Sequence, residues 1–151
     1  MHIMESLKAE LHCHNIFSNG HVGYLEPIHD CNVTIPQQLE QAYLTGLDVL
    51  FVTNHNTIDG YKQMLEYKKK YRKFDTLSVY PAEEVTTDNE SHVLVYGVDH
   101  AIKSGLSLHE LCHLICFQSK LNWYTDQWWI LHENRCQQLH ANFSLLKIFL
   151  P

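Results

Sequence analysis

"GLDVLFVTNHNT", residues 46–57, decides the fold. Between Asp48 and Asn54 it is a nearly unbroken apolar run, rich in β-branched and aromatic side chains. A strand covered on one face alternates apolar with polar residues. A strand covered on both faces does not, and helices flanking a parallel sheet produce that double burial. The run predicts such a strand over residues 47–53. The polar residues Asn54, His55 and Asn56 then fall just past its C-terminal end, where α/β sheets and barrels assemble their sites.

Helical patterns flank this strand. "TIPQQLEQAYLTG" (34–46) predicts a helix with Thr34 as N-cap, Gln37 at capping-box spacing and Gly46 at the position after the C-cap. "NTIDGYKQMLEYKKKYRKF" (56–74) predicts a second, ending in Lys68, Lys69, Lys70, Arg72 and Lys73, where cations complement the helix dipole. That basic run reads as a solvated helix end in preference to a nucleic-acid contact. Further out, "SLKAELHC" (6–13) alternates Leu7, Ala9, Leu11 and Cys13 with polar residues and predicts a strand. Residues 15–33 carry Asn15, Ser18, Asn19, Gly20, Gly23, Pro27, Asp30 and Asn32 and read as one long loop of turn formers. "TLSVYPAEEVT" and "SHVLVYGV" predict two more strands, and "SLHELCHLICF" (107–117) a third helix opened by a Ser107–Glu110 capping box. Strands alternating with helices imply an α/β protein. After Phe117 the pattern gives no clear strand, and only residues 139–149 hint at a helical period. The expected organisation is a domain over 1–116 and a divergent, irregular tail over 117–151.

Of the 151 residues 45% are apolar and 19% charged, as in ordinary globular chains. The formal charge of −6 disfavours an electrostatic grip on nucleic acid or on an anionic membrane, although bound divalent cations would offset part of it locally. No apolar run approaches membrane-spanning length, so no membrane partner is expected. The five cysteines form no Cys-x-x-Cys pair and no signal-peptide pattern opens the chain. Reduced thiols and a cytoplasmic location are the expectation. The twelve histidines are scattered, which points to ligand sites or to chance surface placement.

His12 and His14 stand at i and i+2 at the end of the first predicted strand, so both imidazoles project to one side, under about 7 Å apart at Cα. Neutral imidazole is a common ligand for zinc, iron and manganese. Glu83 and Glu84 end the third strand, and a carboxylate there can bridge two metals.

Taken together, "ELHCHNIFSNG" (10–20), "GLDVLFVTNHNTIDGY" (46–61), "PAEEVTT" (81–87) and "SHVLVYGV" (91–98) resemble, in order and spacing, four motifs of the polymerase and histidinol phosphatase (PHP) family. These are Asp-Leu-His-x-His-Ser-x-x-Ser-Asp-Gly, Gly-Leu-Asp followed by Thr-Asp-His-Asn-Thr, Gly-x-Glu-(Val/Ile)-Thr, and His-x-Leu-x-x-Gly. The likeness covers roughly residues 6–116. It implies the front half of a distorted (β/α)7 barrel, a centre of two or three divalent metals (zinc, manganese or iron), and hydrolysis of a phosphomonoester, nucleotide or nucleic-acid phosphoester by a metal-activated water. Carried over by position, the metal ligands are His12, His14, His55, Glu84 and His92, with Glu84, in preference to Glu83, as the bridging carboxylate. The chain departs from the pattern at Glu10, at Asn19 where a ligating Asp usually stands, and at Asn54. Ligation lost at Asn19 would weaken or pass to His21. The family's later His and Asp-x-His ligands have no matching setting; His132 and His140 lie in the tail with unlike surroundings.

Two other readings follow from the same residues. A chain with the front half of a barrel leaves strand edges open, which implies a catalytically incomplete fragment or self-association. "HELCH" (109–113) has the His-Glu-x-x-His spacing of zinc peptidases, with His132 or Glu133 as a third ligand, whereas the same Glu110 is explained as a helix cap.

Overall fold

The computed structural model describes residues 7–21, 29–121, 130–132 and 135–136, with side chains through residue 115. Strand β1 (Ala9–Cys13) leads through a 3-10 turn (Ile16–Ser18) to α1 (Ile35–Leu44), followed by β2 (Val49–Val52), α2 (Tyr61–Lys69), β3 (Ser78–Thr86), β4 (His92–Tyr96), α3 (Leu108–Leu121), β5 (Ile130–His132) and β6 (Arg135–Cys136). One sheet holds all six strands in sequence order. Pairs β1–β2 and β2–β3 are parallel, as the apolar run at β2 predicts, and β3 onward is antiparallel. The chain is a mixed α/β protein.

Local chemistry sets the element ends. Gln37 reaches back to accept from the Thr34 amide at 2.9 Å, and Gly46 ends α1 with φ +67°. α2 is shorter than its apolar pattern predicts, because residues 54–60 are committed elsewhere. Asn54 Nδ2 donates to the Asp59 carbonyl at 3.1 Å, and Gly60 enters the helix at φ +90°. Tyr71 is extended (φ −135°, ψ 106°) and breaks the far end. β3 and β4 are joined without a helix, as the two successive predicted strands imply. The five-residue turn 87–91 closes on Thr87 N donating to Ser91 O at 2.9 Å, with Glu90 at φ +64°. In the tail, expected to lack strands, β5 extends the free edge of β4, pairing Val93 with His132 and Val95 with Ile130. A three-residue edge strand has no periodicity to betray it. Helix α3 crosses the expected boundary at residue 116. The suggested helical period at 139–149 lies outside the described residues.

Two apolar clusters clamp the convex side of the sheet. Leu39, Leu50, Val52, Met64, Phe74 and Leu77 pack beneath α1 and α2; Val85, Val93, Val95, Val98, Leu111 and Ile115 pack beneath α3. Leu39, Met64, Val85 and Leu111 expose nothing, and each such side chain contributes about 1.5–3 kcal/mol through burial. The opposite face is concave. Phe51 stacks on Tyr80 at 5.3 Å and meets Tyr96 edge-on at 5.1 Å, while the Tyr96 hydroxyl donates to the Leu11 carbonyl at 3.0 Å. That last bond joins β4 to β1 across two intervening strands, so the first four strands curl into a half-barrel. Among the described residues no helix is long and apolar enough to cross a membrane, and Cys13, Cys31 and Cys112 form no disulfide.

Candidate metal centre

Each expected ligand reaches the concave face by a different route. His12 lies near the end of β1, and a register irregularity between Glu10 and Cys13 turns the chain so that His14 follows it to the same place. The segment behind His14 is pinned: its carbonyl accepts from Gln38 Nε2 at 3.2 Å, and Asn15 N donates to Asn54 Oδ1 at 2.9 Å. His55, just past β2, pairs with Glu84 as an isolated parallel bridge, and its amide donates to the buried Ser18 hydroxyl at 3.0 Å. The flanking bonds, Glu84 N to Asn54 O at 3.1 Å and Asn56 N to Glu84 O at 2.9 Å, fix that pairing. The β3–β4 hairpin sets His92 opposite Thr86, one diagonal step from Glu84.

The four histidines converge on the fifth residue's carboxylate. Glu84 Oε2 lies 2.8 Å from His12 Nε2, 2.8 Å from His14 Nε2 and 3.7 Å from His55 Nε2; Oε1 lies 2.9 Å from His92 Nδ1. His14 and His92 each meet the His55 ring edge-on, at 4.6 and 4.7 Å. A sixth residue joins them: Asp30 Oδ2 lies 2.7 Å from His14 Nδ1. Three overlapping triads, His12–His14–Glu84, His14–Asp30–His55 and His55–Glu84–His92, each hold their donor atoms within 4.8 Å of one another.

Burial and charge oppose each other here. Burial raises the Glu84 carboxyl, but hydrogen bonds from His14 and His12 and the neighbouring imidazoles outweigh it and hold the group down at about 2. Burial drives His55 down to about 4, the charge of Glu84 recovering only part, so His55 is neutral and its lone pair is available. For His14 the burial effect is overcome by Glu84 and Asp30, and its proton is held more tightly than usual. Asp30 is lowered although burial opposes this, by hydrogen bonds from Ser18 and His14.

All five expected ligands thus come together, and Glu83 does not join them. Neighbouring strand residues face opposite ways, so Glu83 turns into the apolar layer beneath α3. There its Oε2 accepts from Ile102 N at 2.8 Å, its Oε1 has no partner, and burial raises it to about 7. Asn19 holds a loop: its Oδ1 accepts from the Asp30 and Cys31 amides at 2.7 and 2.9 Å, and its Nδ2 donates to the Cys31 carbonyl at 2.8 Å. His21 is exposed and its carbonyl accepts from Asn56 Nδ2 at 2.5 Å; its ring joins none of the triads. Asp30 is the residue that sequence reading missed. The signal was the absent carboxylate at position 19, which leaves Asp30 and Glu26 as the acidic residues of the 15–33 loop. His109 and His113 stand together on exposed α3, and among the described residues no third ligand joins them. His132 is placed by its backbone in β5, while Glu133 and His140 lie outside the described residues.

The donor set suits a divalent cation. Bonds of about 2.0–2.1 Å from a metal to nitrogen or oxygen give donor–donor edges of about 2.8–3.0 Å in octahedral and about 3.3–3.4 Å in tetrahedral geometry. The His12 Nε2 to His14 Nε2 separation is 3.2 Å, with Glu84 Oε2 2.8 Å from both. His55 Nδ1 is buried with no hydrogen-bond partner, a cost that ligation through Nδ1 itself would remove. These His and Glu groups could therefore hold a metal ion. No family model matches the sequence, and no curated protein matches it.

Proposed function

We propose that the chain is a PHP-type, metal-dependent phosphoesterase, built as the front half of a distorted (β/α)7 barrel. It acts on a phosphorylated small molecule or nucleotide; the net charge of −6 argues against nucleic acid. The observation that carries the reading is the convergence of His12, His14, His55 and His92 on Glu84, supported by the four motifs that resemble the family. His12, His14, His55 and His92 would hold two or three zinc, manganese or iron ions, with Glu84 bridging. Such ions lower the pKa of water and offset charge on phosphoryl oxygens. Asp30 orients the His14 ring, accepting from Nδ1 so that Nε2 faces the centre. His55 and Glu84 close the buried side, with side chains 6% and 7% exposed, while His12 is 50% exposed and marks the side from which substrate enters.

A second reading, a metal-holding half-barrel without turnover, is favoured by one feature: β1 is a sheet edge among the described residues, with Leu7 and Leu11 about half exposed. That edge also invites self-association. Elemental analysis after reconstitution with manganese or zinc, run beside hydrolysis of a generic aryl phosphate, separates the two. The phosphoesterase reading expects stoichiometric metal and metal-dependent hydrolysis, both lost in His12→Ala/His14→Ala. Metal without hydrolysis leaves the half-barrel reading, and hydrolysis unchanged in the double variant would overturn the centre.

A further inference from the structure

Helix α3 carries a pair that the centre does not use. His109 and His113 lie one turn apart on its solvent face, both exposed, with ring centroids 4.4 Å apart and planes inclined by 23°. Side chains at i and i+4 are neighbours on a helix, and two imidazoles so placed can close on one ion. Glu110, which lies between them in sequence, is occupied. Its Oε2 accepts from Ser107 N at 2.8 Å and from the Ser107 hydroxyl at 2.7 Å, and that hydroxyl accepts from Glu110 N at 3.2 Å. This capping box holds the first turn of α3 in helical geometry, so His109 is presented on formed helix. Leu111 and Ile115, both buried, fasten the same turns to the sheet. The pair is therefore rigidly spaced and open to solvent, and its neighbouring carboxylate is turned back to the cap, out of reach of a general-base role.

We propose that His109 and His113 form a bidentate surface site for a divalent late transition ion, separate from the centre at Glu84. Cu2+ binds most tightly, with Ni2+ and Zn2+ weaker, as expected for imidazole donors. Water fills the remaining coordination positions. The ammonium-like end of the helix dipole opposes a cation near residue 109, and the Glu110 carboxylate compensates it in sign. Two donors on one face make this a site of modest affinity whose strength comes from chelation.

Chelation supplies the test. The untagged full chain, stripped with EDTA and exchanged into buffer, is retained on immobilised Ni2+ and eluted with an imidazole gradient. The expected result is elution at several-fold higher imidazole for the unaltered chain than for His109→Ala or His113→Ala, with the double variant eluting where the single variants do. Glu110→Ala keeps the retention, and in a His12→Ala/His14→Ala background replacing His109 or His113 produces the same several-fold drop. Additive losses in the two single variants would mean independent surface histidines, and unchanged elution would mean that the pair takes no metal; either overturns the site. Loss of retention in the His12/His14 variant, with retention kept in the α3 variants, overturns it as well. Both replaced side chains are exposed, so folding is not at stake.

Discussion

Replacing Glu83 by Gln should expose a cancellation within the metal-free protein. Burial raises the Glu83 carboxyl from 4.5 to about 7, the Ile102 amide recovering part of the cost. Burial lowers His55 from 6.5 to about 4, with the charge of Glu84 opposing. The signs are opposite. A carboxyl raised on folding binds more protons in the fold, so its contribution is complete below pH 4.5 and is lost as the pH climbs to 7. A histidine lowered on folding binds fewer, so its contribution is complete above pH 6.5 and is lost as the pH falls to 4. Each spans about 2.5 pH units, or about 3 kcal/mol at about 1.4 kcal/mol per unit. Of that, about 2 kcal/mol falls between pH 4.5 and 6.5 for each group. Glu84 acts below this window, since its contribution holds above 4.5 and is lost as the pH falls towards 2; His14, raised from 6.5, acts above it. The unaltered chain should therefore be almost equally stable at pH 4.5 and 6.5. Glu83→Gln should instead gain about 2 kcal/mol over the same range. A buried amide N–H without an acceptor lowers the whole curve by about 1–3 kcal/mol and leaves its slope alone. Urea unfolding in EDTA at pH 4.5, 5.5 and 6.5 measures that slope. A variant as flat as the parent would refute the opposed titrations.

Two further outcomes follow from single contacts. Asp30→Asn keeps a polar group of the same size beside His14 but removes the charge, and should weaken metal binding about 10–100-fold by equilibrium dialysis; unchanged affinity removes Asp30 from the centre. Gly60→Ala places a Cβ 2.7 Å from Phe17 Cδ2 at φ +90°, and should cost about 2–4 kcal/mol in urea unfolding from backbone strain and overpacking together; a loss under about 1 kcal/mol would mean that Phe17 moves aside freely.

The parts of the fold that were legible in sequence are those governed by local rules. The strand at 49–52 betrays itself by unbroken apolarity, and α1 by a cap at Thr34 and a stop at Gly46. The five histidine and glutamate positions were legible through motif spacing. What escaped depends on contacts distant along the chain or on short edges. α2 loses its first turns because Asn54 and His55 are held by Asn15, Ser18 and Glu84, and no window around residue 56 contains those partners. The antiparallel return of β4 onto β3 turns on a left-handed Glu90, a conformation that glutamate does not advertise. β5 and β6 are too short for any period.

Asn19 and Asp30 are best understood together. Where the family that this chain resembles carries a ligating Asp, an amide has a capacity that a carboxylate lacks: it donates as well as accepts. Asn19 uses both, taking the amides of Asp30 and Cys31 on its oxygen and giving its N–H to the Cys31 carbonyl. An Asp at position 19 would lose the donated bond and place a second negative charge beside Asp30. With Asn there, the loop is fastened at three points and its carboxylate is delivered to His14 Nδ1 from eleven residues further along. The negative charge that an Asp at position 19 would bring is supplied to the cluster from position 30 instead. It reaches the histidine's outer nitrogen, where it fixes the ring and leaves the inner nitrogen facing Glu84.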